Sequence, residues 1–161
     1  MHLYIKQKLF TIPDEFDILD ENGEWKYRVE GEVFTFAKKL HITDRKYKEV
    51  GFVEQKLFKW RPTFNVYANG ELIGQIEKRL ELFKHRYEVY GKDWTVEGDF
   101  LSHDYCIMEG TKIIASIHKK WMSWGDSYEL DLLDGQDEIA LIAVILAIDT
   151  VMTSNGNNHN Y

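Results

Sequence analysis

The sequence predicts a mainly β protein: an antiparallel barrel of about twelve strands, closed around a central hydrophobic C-terminal α-helix. From residue 3 to about residue 133, short runs rich in Val, Ile, Phe, Tyr and Trp alternate with polar residues and end in turns. Ten consecutive apolar residues, 139–148, follow them. A barrel of about twelve strands is too wide to be filled by its own side chains, so it needs an internal plug, and a helix can serve as one.

The composition fits one globular domain. Of 161 residues, 44% are apolar and 14% aromatic, and we assign residues 1–154 to the domain and 155–161 to a polar tail. The net charge of −7 disfavours nucleic acid as a partner. Cys106 has no second cysteine for a disulfide, and Lys6, Gln7 and Lys8 interrupt the N-terminal apolar residues where a signal peptide would continue. We therefore expect a soluble cytoplasmic protein.

Three segments show apolar alternation on both sides of a turn dipeptide, the pattern of a β-hairpin. They are residues 16–29 around Asn22-Gly23, residues 64–78 around Asn69-Gly70, and residues 104–120 around Glu109-Gly110. Asn-Gly favours such turns because both residues tolerate positive φ. The remaining strand candidates are residues 4–9, 33–38, 48–57, 85–90, 94–99 and 128–132.

The second and third hairpins match each other when the sequence is shifted by 41 residues. The shift superposes identical residues in the hairpins and in the strand that follows each: Ile73 on Ile114, Ile76 on Ile117, Lys78 on Lys119, Tyr87 on Tyr128 and Glu88 on Glu129. The match indicates a repeated antiparallel meander.

The apolar run near the C-terminus predicts a helix over about residues 137–153. An acidic turn precedes it and Ser154-Asn155-Gly156 follows it as a stop signal. A transmembrane helix needs about 20 apolar residues, so this run is too short to span a bilayer. A helix that is apolar on every side must be enclosed. The residues predicted to form the core helix are Ile139, Leu141, Ile142, Val144, Ile145, Leu146, Ile148 and Asp149.

Asp149 is the exception in this helix. Its carboxylate could lie in water at the mouth of the barrel, or be buried and paired with a Lys, an Arg or backbone amides. In both arrangements Asp149 has a structural role, which we favour over a functional one.

The order of several segments resembles the LURP-one-related family, which shares the Tubby C-terminal-like fold with Tubby proteins and phospholipid scramblases. The resemblance covers nearly the whole chain. Its carriers are QKLF at 7–10, FDILDENGEWKYRVEG at 16–31, LIGQIEKR at 72–79, IIASIHKK at 113–120 and LIAVILAID at 141–149. The resemblance implies a twelve-stranded barrel threaded by the final helix.

The functions of the relatives carry over only in part. Tubby domains bind phosphoinositides through a basic surface pocket, and scramblases are membrane-associated and lipidated. This chain is acidic overall, and it has one cysteine in place of the cysteine-rich segment on which scramblase palmitoylation depends.

Two sets of basic residues are candidates for binding an anionic ligand. Lys56, Lys59 and Arg61 surround Trp60 in EQKLFKWRP, an arrangement suited to a lipid head group. The structural alternative, which we favour from the sequence alone, is an exposed edge strand protected by lysines. The second set occupies equivalent positions in the two repeated units and consists of Lys78, Arg79, Lys119 and Lys120. These side chains either converge at one rim of the barrel or lie in solvent at the ends of strands.

The sequence offers no catalytic, cofactor or metal motif. The six histidines have no metal-ligand spacing, and no glycine-rich nucleotide loop or nucleophile elbow occurs. Ser102-His103-Asp104 contains the three residue types of a catalytic triad, but neighbours on a strand point to opposite faces. Cys106 lies between Tyr105 and Ile107, where a packed thiol is expected.

We therefore predict a nonenzymatic binding module that uses its outer surface or rim to bind a partner protein or an anionic phospholipid, in the cytoplasm or peripheral to a membrane. One alternative is an enzyme or small-molecule carrier with a cleft at a barrel end near Asp149 and a neighbouring lysine. The other is a purely structural interaction module. The oligomeric state is left open.

Overall fold

The computed structural model describes residues 1–6, 15–32, 35–80, 85–99, 102–122 and 125–156. Their fold is mainly β, with antiparallel strands and a C-terminal helix, as predicted. The strands are β1 (His2–Lys6), β2 (Glu15–Leu19), β3 (Trp25–Gly31), β4 (Lys39–Asp44), β5 (Glu49–Gln55), β6 (Thr63–Ala68), β7 (Glu71–Leu80), β8 (His85–Tyr90), β9 (Trp94–Asp99), β10 (Asp104–Glu109), β11 (Lys112–Met122) and β12 (Gly125–Leu132). The helix is α1 (Glu138–Gly156).

Each strand from β2 to β12 pairs with its neighbours in sequence, and β1 pairs with both β12 and β2. The β1–β12 ladder joins five residue pairs, from His2–Asp131 to Lys6–Ser127. The β1–β2 seam is much shorter, with two pairs, Tyr4–Leu19 and Ile5–Ile18.

The three predicted hairpins form at the predicted turns. Asn69 and Gly70 have φ of 50° and 83°, the paired positive values of the tight turn that Asn-Gly favours. The repeated meander is also present: β6–β7 and β10–β11 each carry an irregularity in register, after Val66 and after Ile107, which are 41 residues apart. The two units therefore share the position of their bulge as well as their sequence pattern.

The helix α1 is enclosed, because every residue from Ile139 to Ile148 is at most 9% exposed. Inward-facing strand residues such as Val66, Ile76 and Ile107 have no exposed surface and form one core with the helix. At the start of α1, a Cβ added to Gly51 of β5 would lie 3.1 Å from Ile139 Cγ2 and 2.7 Å from Ile42 Cδ1. Glycine at position 51 thus lets the strand approach the helix closely.

The helix gives the molecule two distinct ends. Glu138 begins α1 beside Tyr27, near the start of β3, and we call this the turn end because the hairpin turns after β2, β4, β6, β8 and β10 lie there. Asp149 lies near the other end of α1, beside His103 at the start of β10. We call this the helix-exit end; β5 ends and β6 begins there.

Some predicted boundaries are wrong. The strand predicted over 33–38 is absent from residues 35–38, and β4 instead covers Lys39–Asp44. Leu40 and Ile42 are buried while His41 and Thr43 are partly exposed, so the alternation that makes this strand begins after the predicted one. Residues 33 and 34, and residues 7–9 of the first predicted strand, lie outside the described residues. The helix extends to Gly156, past the predicted stop.

Candidate functional site

The connection between β5 and β6, residues 56–62, is a compact loop at the helix-exit end. Its base is closed by Lys56, whose backbone N–H donates to Thr63 O over 2.8 Å. Thr63 Oγ1 donates back to Arg61 O over 2.9 Å. Phe58 has a φ of 62°, in the left-handed region that is uncommon for a bulky side chain. The base of the loop is therefore fixed, and its turn conformation carries a backbone strain.

This loop exposes two large apolar side chains completely and a third in part. Phe58 is 102% and Trp60 101% exposed, and Leu57 is 44% exposed. Phe36, in the neighbouring β3–β4 connection, is 99% exposed. The two connections are joined at their bases, where Gln55 N–H donates to the carbonyl of Lys38 over 2.8 Å.

We call Phe36, Leu57, Phe58 and Trp60 the apolar tip. Single exposed apolar residues are ordinary, but a group of them on adjacent connections is typical of an interaction site.

The apolar tip is surrounded by an excess of positive charge. Three cations have carboxylate partners: Lys39–Glu32 at 3.4 Å, Lys56–Glu54 at 3.7 Å and Arg61–Glu77 at 3.4 Å. Within the part of the chain that the structure describes, Lys38 and Lys59 have no carboxylate partner, and both are exposed. The neighbourhood of the tip is therefore locally cationic in a protein whose net charge is −7.

The structure brings the first predicted set together and separates the second. Lys56, Lys59, Trp60 and Arg61 share the loop 56–62, which is not a strand, so the edge-strand alternative is wrong. In the second set, Lys78 and Arg79 lie on β7, whereas Lys119 and Lys120 lie on β11, with three strands between them.

In the second set, Lys120 Nζ donates to Glu129 Oε2 over 2.9 Å, and that contact raises the pKa of Lys120. Lys119 is exposed and also has an interaction partner. The side chains of Lys78 and Arg79 lie outside the described residues. The residues that sequence reasoning missed are Phe36, Lys38, Leu57 and Phe58.

His41 ties the β3–β4 connection to the sheet. Its Nδ1 lies 2.6 Å from Glu49 Oε2 and its Nε2 2.8 Å from Glu32 Oε1. Burial of the ring opposes its charge, but the hydrogen bonds and charges of Glu49 and Glu32 outweigh that effect and raise the pKa of His41. Because Glu32 immediately precedes the connection that carries Phe36, a protonated His41 holds the base of the apolar tip.

We expect the free energy of unfolding to depend on pH through His41. Because the folded protein raises this pKa, the stabilisation is fully present below about pH 6.5 and is lost as the pH rises through the folded value. Urea unfolding from about pH 6 to 8 should show this loss. The His41→Gln variant, which keeps a hydrogen-bonding side chain without the titration, should lack that component, and an unchanged pH profile in this variant would contradict the assignment.

Asp149 lies partly exposed at the helix-exit end and pairs with a histidine. His103 Nε2 is 3.0 Å from Asp149 Oδ1, and the His103 ring lies 4.7 Å from the Tyr128 ring between centroids. Asp149 is 38% exposed. The described partner of Asp149 is a histidine and not the predicted Lys, Arg or backbone amide, and the carboxylate is neither fully solvated nor buried.

The neighbouring triad residue types do not converge. Ser102 Oγ donates to Asp99 Oδ2 over 2.8 Å, and Asp104 Oδ1 lies 2.8 Å from His118 Nδ1. Burial and the nearby charges of Glu97 and Asp104 raise the pKa of Cys106, which lowers its thiolate fraction. These contacts agree with structural roles.

An open cavity lies at the turn end, away from Asp149. Its lining residues are Asp20, Lys26, Tyr27, Asp44, Arg45 and Lys46. Arg45 Nη2 already binds Asp20 Oδ2 at 2.8 Å, and Lys26 Nζ binds Glu138 Oε1 at 2.7 Å. The charged groups of this cavity thus largely satisfy one another. Among the residues with described placement, no cluster of three or more His, Cys, Asp or Glu side chains is arranged to hold a metal ion.

Across the described part of the chain, no helix has both the length and the apolar character required to cross a bilayer.

Comparisons with known proteins give a consistent assignment. A family model described as LURP-one-related matches residues 1–149. The uncharacterized protein YxjI of Bacillus subtilis (strain 168) is 30% identical over 152 residues, which cover 94% of each chain. The X-ray structure of a protein from Arabidopsis thaliana is similar with a TM-score of 0.59 and 19% identity, covering 98% of this chain and 91% of that one. At this identity, the structural similarity shows the fold alone.

Proposed function

The chain belongs to the LURP-one-related family, and on that premise we propose that it is a nonenzymatic module that binds an anionic phospholipid surface. The contact surface is the apolar tip together with the cations around it. The observation that carries this proposal is the exposure of Phe58 and Trp60 on both sides of Lys59, beside a second lysine that has no described carboxylate partner.

The arrangement suits the interface of a bilayer. Trp is enriched where acyl chains meet head groups because one part of its ring is apolar and the other can donate a hydrogen bond. Lysine can lay its methylenes along an apolar surface while its ammonium group reaches lipid phosphates. A basic residue near an anionic leaflet contributes about 1 kcal/mol.

The net negative charge does not prevent such a contact. At physiological ionic strength the Debye length is about 8 Å, so carboxylates elsewhere on the barrel are screened from a lipid surface that touches the tip. We therefore propose that the protein lies peripherally at the anionic cytoplasmic leaflet of a membrane.

The interior of the protein supports a surface-based function. The predicted core residues of α1, from Ile139 to Ile148, are buried among strand side chains and occupy the space that a ligand of the barrel would need. The histidine–carboxylate pair at Asp149 is held by a ring contact with Tyr128 and has no nucleophile from Ser102, whose hydroxyl is bound to Asp99. Among the described residues, these features favour binding at the outer surface.

We expect the wild-type protein to float with vesicles that contain phosphatidylserine at physiological salt, and to float much less with phosphatidylcholine alone. The triple change Lys56→Glu, Lys59→Glu, Arg61→Glu should abolish flotation, because it replaces the cations nearest the apolar tip with repelling carboxylates. The double change Lys38→Glu, Lys59→Glu should have nearly the same effect.

The matched control changes the same number of charges at the turn end: Lys46→Glu, Lys48→Glu, Lys112→Glu. All three side chains are exposed, and the net charge falls as in the triple loop variant. This control should retain flotation. If the wild type floats no better with phosphatidylserine vesicles than with phosphatidylcholine vesicles, or if both triple variants lose binding equally, the proposed lipid surface is wrong.

A further inference from the structure

We propose that the protein docks end-on and inserts the side chains of Phe58 and Trp60 into the interfacial region of an anionic bilayer, with the turn end facing away from the lipid. This inference rests on the proposed function and goes further, because binding of head groups by charge alone requires no insertion. It assigns the apolar side chains of the tip a contribution to affinity in addition to that of its lysines.

The exposure of the tip shows that its side chains project away from the protein. Values of 99–102% for Phe36, Phe58 and Trp60 mean that these residues are as accessible as in an extended chain. The left-handed φ of Phe58 belongs to the turn that carries Phe58 and Trp60. A convex group of this kind can enter a soft, fluid layer without a complementary pocket, whereas a protein partner would need a cleft shaped to receive it.

The orientation follows from the position of the exposed aromatic side chains together with the local charge. Lys38 and Lys59 leave the helix-exit end locally cationic around the tip. The turn end bears groups of carboxylates: the β2–β3 turn contributes Asp20, Glu21 and Glu24, and the segment before α1 contributes Asp134, Asp137 and Glu138. The turn end also bears exposed lysines at positions 46, 48 and 112. The most exposed large apolar side chains among the described residues, Phe36, Phe58 and Trp60, all lie at the helix-exit end, so this end faces the lipid.

The base of the tip is held firmly enough to carry this insertion. Backbone hydrogen bonds join Lys56 to Thr63 over 2.8 Å and Gln55 to Lys38 over 2.8 Å. Thr63 itself is buried, at 1% exposed. The apolar side chains are thus presented by two connections with hydrogen-bonded bases, so that less backbone conformational entropy is lost when they enter the lipid.

The test places an environment-sensitive fluorophore at the tip. A single cysteine is introduced by Phe58→Cys in a Cys106→Ser background and labelled with NBD, and vesicles containing phosphatidylserine and spin-labelled lipids are added. We expect a blue shift and quenching by spin labels near the head groups. The control is Tyr47→Cys in the same background. Tyr47 is 78% exposed, has a φ of 58° and lies in a turn at the turn end, so its label should stay in water.

Removal of the apolar side chains gives a second readout. The double change Phe58→Ser, Trp60→Ser keeps every charge and is expected to weaken partition into these vesicles about 100-fold or more, since burial of each aromatic side chain contributes at least about tenfold. The change Tyr47→Ser should leave partition within about twofold of the wild type.

The outcomes separate insertion from head-group binding. If the label at position 58 stays aqueous and the double serine variant still binds, while Lys38→Glu, Lys59→Glu does not, insertion is overturned and the proposed function stands. If the wild type does not bind these vesicles at all, both proposals fail, and a protein becomes the remaining candidate for the tip. If the label at position 47 is quenched instead, the end-on orientation is wrong.

Discussion

Replacement of Leu141 by aspartate is expected to abolish cooperative folding. Leu141 lies within α1 and has no exposed surface, so the new carboxylate would be surrounded by apolar side chains from the helix and the strands. An unpaired buried charge costs several kcal/mol, and the lost burial of leucine adds roughly 2 kcal/mol or more. Together they are comparable to the whole stability of a domain, about 5–15 kcal/mol.

The measurement is urea unfolding followed by near-UV circular dichroism. The change Leu141→Ala should give an intermediate result, a loss of about 2–5 kcal/mol with cooperativity retained. Leu72→Asp is the matched control, because Leu72 is 58% exposed in β7 and its replacement should change stability by less than about 0.5 kcal/mol. A cooperative, native-like melting transition of Leu141→Asp would show that the helix is not the core of this fold.

The change Gly98→Ala is expected to destabilise the β9–β10 ladder by roughly 3 kcal/mol or more. Gly98 has a φ of 141°, and a Cβ there would lie 2.6 Å from both Asp104 O and the Cα of Tyr105. Backbone atoms cannot rotate away as a flexible side chain can. The two strands would have to separate where Tyr105 enters the core at 3% exposed.

The change Gly23→Ala separates the two causes of the loss at Gly98, which are backbone strain at positive φ and the steric clash of the added Cβ. Gly23 also has positive φ, 78°, but nothing lies within 4 Å of its added Cβ. Its replacement should cost only the conformational strain, about 1 kcal/mol. Thermal melting of both variants gives the comparison. If the two glycines cost the same, the close approach of β9 and β10 is not what requires glycine at position 98.

Much of the fold could be predicted because it depends on local chemistry. The dipeptide Asn69-Gly70 favours positive φ by itself, and a helix such as 139–148, which has no polar side, cannot be stable with any face in water. The two repeated units share a sequence pattern, so one hairpin supported the interpretation of the other. These signals need no knowledge of distant parts of the chain.

The candidate site could be predicted only in part, because it depends on which connections become neighbours. Lys56, Lys59, Trp60 and Arg61 are close in sequence and were recognised as a cluster. Phe36 and Lys38 join them only through the pairing of β4 with β5, and the wrong position of the predicted strand 33–38 concealed this. The available signal was KLFKW at 56–60, where apolar and basic residues do not keep the alternation of a strand.

The Asp149 contact illustrates the same limit. His103 is 46 residues away in sequence, and its left-handed φ of 51° helps place its ring at the end of α1. No local pattern marks such a pair. In contrast, the burial of the helix residues just before Asp149 follows from their composition alone.

The pairing of β1 constrains the order in which the protein can fold during its synthesis. Its long ladder is with β12, more than a hundred residues later in the chain, whereas it meets β2 at only two positions. While the ribosome is still making the middle of the protein, the first strand has almost no partner, and the helix that will fill the cavity has not yet been made. The sheet of the nascent chain therefore stays open along one side until the C-terminal segment leaves the ribosome. A chaperone that binds apolar strand faces would have the longest time to bind during that interval.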